Sequence, residues 1–124
     1  MKAIVVDDSR AIRAILGKML EEIGFEVSEA SDGRAALGVL AAGGVFDLAL
    51  VDWNMPEMDG LQLVRAVRAD PRWADMRIMM VTTETELEKI VIALEAGANE
   101  YLMKPFTTKA VAEKLALLGL AEVT

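Results

Sequence analysis

The sequence predicts a doubly wound α/β fold, a five-stranded parallel sheet in the order 2-1-3-4-5 with five helices over its two faces. Three features lead there. Ala3-Ile4-Val5-Val6, Leu48-Ala49-Leu50-Val51 and Ile78-Met79-Met80-Val81 are unbroken apolar runs, as strands covered by helices on both faces require. Phe25-Glu26-Val27-Ser28 alternates in polarity and Glu100-Tyr101-Leu102-Met103 is mixed, which places these two at the wetter edges. Stretches of helical period separate the strands, so the connections are right-handed crossovers between parallel neighbours. Of the common orders, 2-1-3-4-5 puts the second and fifth strands at the edges. A six-stranded dinucleotide-binding sheet would need a longer chain.

Each helix is justified by spacing. Ile12, Ile15, Leu16, Met19, Leu20 and Ile23 keep the i, i+3, i+4, i+7 stripe, and Gly24 follows where a helix-ending left-handed residue is needed. Ala36, Leu37 and Leu40 mark the second helix, and Leu63, Val64 and Val67 the third. Leu87, Ile90, Val91 and Leu94 mark the fourth, which stops at Gly97, and Val111, Leu115 and Leu118 the fifth. No repeat, low-complexity tract or long linker interrupts the series, so residues 1–124 are expected to form one domain.

Composition narrows the chemistry. The 124 residues carry a formal net charge of −7, with 54% apolar and 27% charged residues and neither cysteine nor histidine. An acidic balance argues against a nucleic-acid surface, which needs clustered basic residues to displace counterions. Without cysteine there are no disulfides or thiolate metal sites. Without histidine the commonest general base and transition-metal ligand are gone. The weakly polar run from Ala35 to Phe46 contains three glycines and falls short of the ~20 residues that cross a bilayer. Asp7 and Asp8 come too early for a signal peptide. The expectation is a cytoplasmic monomer that engages neither nucleic acid nor membrane.

In doubly wound sheets ligands bind beyond the carboxyl ends of the strands, near the switch between strands one and three. There the sequence places Asp7-Asp8, Asp52, Thr82-Thr83 and Lys104-Pro105. Three carboxylates cannot share a crevice unopposed, because two like charges ~4 Å apart repel by about 4 kcal/mol at an effective dielectric near 20. Hard oxygen ligands without His or Cys favour Mg²⁺ as the counter-charge. A cation so placed, an ammonium from Lys104 and a threonine hydroxyl are what phosphoryl transfer to a carboxylate requires.

Taken in order, Asp7-Asp8, the run Val51-Asp52-Trp53-Asn54-Met55-Pro56-Glu57-Met58-Asp59-Gly60, Val81-Thr82, and Tyr101 with Lys104-Pro105-Phe106 resemble the receiver domain of two-component response regulators, which has a flavodoxin-like fold. The similarity is greatest to the single-domain chemotaxis (CheY-like) members and covers nearly the whole chain. The resemblance implies that Asp52 is the phosphoacceptor. It implies Mg²⁺ bound directly by Asp8, Asp52 and the backbone carbonyl of Asn54, with Asp7 acting through water. Thr82 and Lys104 would contact the phosphoryl group, and Thr82 with Tyr101 would form the switch. Asn54 and Glu84 would tune the lifetime of the acyl phosphate, and the Lys104-Pro105 peptide is expected to be cis.

On the same resemblance a histidine kinase or a small phosphodonor would supply the phosphoryl group. The domain would later hydrolyse its own acyl phosphate and turn over no external substrate. Output would be a protein target on the face of the fourth helix, fifth strand and fifth helix, and no output domain is expected. A flagellar-motor switch protein is one candidate target, although Glu86 and Leu87 depart from the basic residue associated with motor-binding members. A phosphate sink, a phosphorelay or a cell-cycle receiver are the alternatives.

Plainer readings compete at several positions. Asp7-Asp8 could cap the first helix, Tyr101 could be edge packing, and Thr83, at a position usually small in the family, could narrow access to Asp52. A Mg²⁺-dependent phosphohydrolase with an aspartyl-phosphate intermediate is the rival from another class. It generally needs a second acid two residues after the nucleophile, where this sequence has Asn54. A flavodoxin-like small-molecule binder would need a phosphate-cradling glycine loop after the first strand, and none is there.

Overall fold

Five parallel strands run through the centre of the molecule in the order β2-β1-β3-β4-β5. They are β1 (Lys2–Val6), β2 (Glu26–Ala30), β3 (Leu48–Val51), β4 (Arg77–Thr82) and β5 (Glu100–Met103). The helices are α1 (Arg10–Ile23), α2 (Gly33–Gly43), α3 (Gly60–Ala69), α4 (Leu87–Ala96) and α5 (Thr108–Leu117). This computed structural model describes residues 1–83 and 86–121; Glu84, named above for phosphate lifetime, lies outside them.

Side chains alternate across the sheet and so build two cores. Ile4, Val6, Ala49, Val51, Ile78, Met80 and Tyr101 face α2, α3 and α4. Ala3, Val5, Leu48, Leu50, Met79, Val81 and Leu102 face α1 and α5, where Leu16, Leu20, Val111 and Leu115 close the layer. The three apolar runs are buried throughout, as continuous runs in a covered parallel sheet must be.

The edges depart from the sequence reading in detail. The second strand starts at Glu26 and runs on to Ala30, two residues beyond the alternating tetrapeptide, and Phe25 is buried just before it. Val27 and Ser28 are both half-buried, so β2 has no clean wet face. The fourth helix differs more. Of its stripe residues Leu87, Val91 and Leu94 are exposed and Ile90 is half-buried against the core, while Ala93, outside the stripe, is fully buried. The spacing located the helix correctly, but periodicity does not say which side is covered, and most of this stripe faces solvent.

A 3₁₀ turn over Pro71–Trp73 was not anticipated, nor was the residue that fastens it. Arg68, one helical turn after Val64, sends Nε to the Gly97 carbonyl (2.9 Å), Nη1 to the Trp73 carbonyl (3.1 Å) and Nη2 to Asn99 Oδ1 (2.8 Å). Asn99 Oδ1 also accepts from the Ile78 amide (2.8 Å). One guanidinium thus joins α3, the turn, the end of α4 and the start of β5. Gly97, at φ 122, admits it, since a Cβ there would lie 2.5 Å from Arg68 Cγ. Arg68→Met, which keeps the stem and removes the donors, is expected to cost about 2 kcal/mol in urea unfolding.

Candidate functional site

The strand ends deliver the predicted side chains to one crevice. The Asp52 amide donates to the Val6 carbonyl (2.9 Å), the Asp7 amide to the Ala30 carbonyl (3.2 Å) and the Lys104 amide to the Thr82 carbonyl (2.9 Å). Each residue therefore sits just past its strand while its backbone is still held by the ladder. That is why sheet register alone fixes the spacing of the site.

Carboxylate oxygens of Asp7, Asp8 and Asp52 lie within 4.8 Å of one another. Asp7 and Asp52 are buried, Asp8 exposed. Lys104 Nζ lies 2.8 Å from Asp7 Oδ2 and 3.5 Å from Asp52 Oδ2, so one ammonium serves two buried acids. The other Asp7 oxygen accepts from the Ser9 amide (2.8 Å). The capping alternative is removed by geometry: Ser9 is the N-cap of α1, its Oγ accepting from the Ile12 amide at 3.3 Å. The two acids are left for the crevice.

Thr82 is fully buried with its hydroxyl close enough to the Asp52 carboxylate to favour its charged form, whereas Thr83 is exposed. The Asn54 backbone amide also favours the charged form of Asp52, while the Asn54 side chain faces solvent. The Lys104-Pro105 peptide is cis. Tyr101 is buried on β5 and lines a groove of about 590 Å³ together with Ile90, Leu94, Phe106 and Lys114.

Burial pushes the Asp52 carboxyl above the ordinary carboxylate range. The Lys104 ammonium pulls it back, the Asp7 carboxylate raises it further, and the bonds from Thr82 and Asn54 lower it. A carboxyl whose pKa is higher folded than unfolded costs stability as pH rises from the unfolded value through the folded one, and the full cost is present above both. Asp52→Asn is therefore expected to be more stable than the parent at pH 7 without divalent ions, by roughly 1 kcal/mol. The advantage should vanish below the ordinary carboxylate pKa, as thermal melts across pH would read directly.

An all-oxygen cluster of three acids suits a hard divalent cation, and the residues present could hold one. Comparison with known proteins bears on what such a site belongs to. A family model described as the response regulator receiver domain matches residues 3–116. The chain belongs to the response regulator receiver family. This receiver is 44% identical over 116 residues to the chemotaxis protein CheY of Pseudomonas aeruginosa, covering 93% of each chain. It is 46% identical to chemotaxis protein CheY1 of Helicobacter pylori, covering 93% of this chain and 94% of that protein. Among solved structures it resembles chemotaxis protein CheY4 of Vibrio cholerae, with a TM-score of 0.87 and 39% identity over 94% of this chain and 96% of that one.

Two residues that shape this receiver's site escaped the sequence reading in physical terms. Gly60 opens α3, and a Cβ there would lie 2.2 Å from the Asp52 carbonyl oxygen. Arg13 reaches back from α1 to the Asp7 carbonyl at 2.7 Å. Arg13 shares a stripe with Leu16 and Leu20, so a charge on a buried helical face was the available signal.

Proposed function

We propose that this receiver takes a phosphoryl group onto Asp52 in a Mg²⁺-dependent reaction and thereby switches a protein-binding face. The observation that carries the reading is the Lys104 ammonium set between two buried carboxylates, with the buried Thr82 beside one of them. A carboxylate oxygen of Asp52 attacks phosphorus, forming an O–P bond. The bond from phosphorus to the donor breaks, whether to a kinase histidine nitrogen or to the acetate of acetyl phosphate, and the electron pair leaves with the donor.

Asp8, Asp52 and the Asn54 carbonyl are the candidate ligands for Mg²⁺, with Asp7 acting through water. When bound, Mg²⁺ would supply positive charge to the phosphoryl oxygens. Lys104 supplies a second positive charge and Thr82 a hydrogen bond to the same group. Water then cleaves the O–P bond, restoring Asp52 and releasing inorganic phosphate, a step on which the side chains of Asn54 and Glu84 would act. Drawing Thr82 and Lys104 toward the phosphoryl group biases a two-state equilibrium that Tyr101 reports to the α4–β5–α5 face.

The output is read as protein contact in a chemotaxis-type pathway, with a histidine kinase as donor. The chemotaxis names of the relatives support it. The assay is incubation with acetyl phosphate and MgCl₂ followed by intact mass. One phosphate per chain, decaying on dilution, is expected. Sustained hydrolysis of an external phosphate ester would favour the phosphohydrolase reading instead.

A further inference from the structure

We propose that Arg13 is a positioning residue for the cation site, acting through the peptide that joins Asp7 to Asp8; this rests on the Mg²⁺ reading above. The turn between β1 and α1 must present two successive acids against their mutual repulsion. Asp7 is held on every side: its amide by the Ala30 carbonyl, its carboxylate by the Ser9 amide and Lys104. Among the described residues no hydrogen bond or ion pair holds the Asp8 carboxylate. Only its backbone orients it.

The carbonyl of Asp7 belongs to the planar unit that carries the Asp8 nitrogen, so fixing that oxygen fixes the direction from which Asp8 leaves the chain. Arg13 Nη1 donates to this oxygen at 2.7 Å. Its Nε pairs with Glu29 Oε1 at 3.1 Å, and the side chain is only 16% exposed. The fork is thereby anchored at the end of β2 while it grips the turn. The geometry gives Arg13 two opposed influences on a bound cation. Its charge repels one, and its hydrogen bond holds the ligand that would receive one.

The two influences have opposite signs, so titration with MgCl₂ separates them. Calorimetric titration of Arg13→Met, which retains the stem, is expected to show Mg²⁺ binding weakened on the order of tenfold. Arg13→Lys, able to reach the carbonyl but not to hold both partners, should recover part of the loss. Glu29→Gln should stay close to the parent. Unchanged or tighter binding in Arg13→Met overturns the proposal, as does an equal loss in Glu29→Gln, which would place the effect in the ion pair. If Arg13→Met does not fold in a melt without metal, Arg13→Lys decides by the same criterion. A parent protein that binds no Mg²⁺ would instead remove the metal reading itself.

Discussion

Asp52→Asn is expected to abolish the phosphate adduct formed with acetyl phosphate and MgCl₂, leaving intact mass at the unlabelled value. The three acids of the cluster are not equivalent. Both Asp7 oxygens are engaged, by Ser9 and Lys104, and Asp8 lies exposed. Asp52 is buried, with a hydroxyl and an ammonium already beside it. Asparagine keeps the shape and removes the attacking oxygen. Asp7→Asn and Asp8→Asn should slow labelling without eliminating it, because each leaves the acceptor in place. Chelation of divalent ions should suppress labelling of the parent. A label that persists in Asp52→Asn would move the acceptor elsewhere.

Gly60→Ala is the second large effect. The added Cβ would sit 2.2 Å from the Asp52 carbonyl oxygen and 2.9 Å from Trp53 Cα. Both neighbours are backbone, held in turn by the Gly60 amide on the Trp53 carbonyl (2.9 Å) and the Asp52 amide on Val6. No side-chain rotamer can relieve the overlap. The loop from β3 must open or α3 must retreat, and α3 buries Leu63, Val64 and Val67. A loss of about 3 kcal/mol in urea unfolding is expected. Labelling of the folded fraction should also slow, since Asp52 moves with its own carbonyl. A variant of parental stability would mean that the loop yields at little cost.

The sequence disclosed the fold well because continuous apolar runs and helical stripes are local signals. Strand order followed from polarity at the edges, and the crevice from the residue after each strand. What it hid was contact between distant backbones. Gly60 stood inside a recognised run, yet its reason is a carbonyl eight residues earlier in the chain. Arg68 and Asn99 are separated by 31 positions and meet only when α3 packs beside β5. The exposed stripe of α4 shows the opposite failure, a strong local pattern whose direction is set by tertiary placement.

That stripe has an energetic consequence. Leu87, Val91 and Leu94 already stand in water, and α4 is seated on the sheet by Ala93, with Ile90 and Ala96 half-buried beside it, so a shift of the helix changes the solvation of only these three small contacts. Its entry carries no side-chain cap, whereas its exit is fastened through Gly97 to Arg68. The restoring force on the helix is therefore weak at one end and firm at the other. Any protein that covers the stripe collects a hydrophobic free energy, with its negative heat-capacity change, that folding left uncollected.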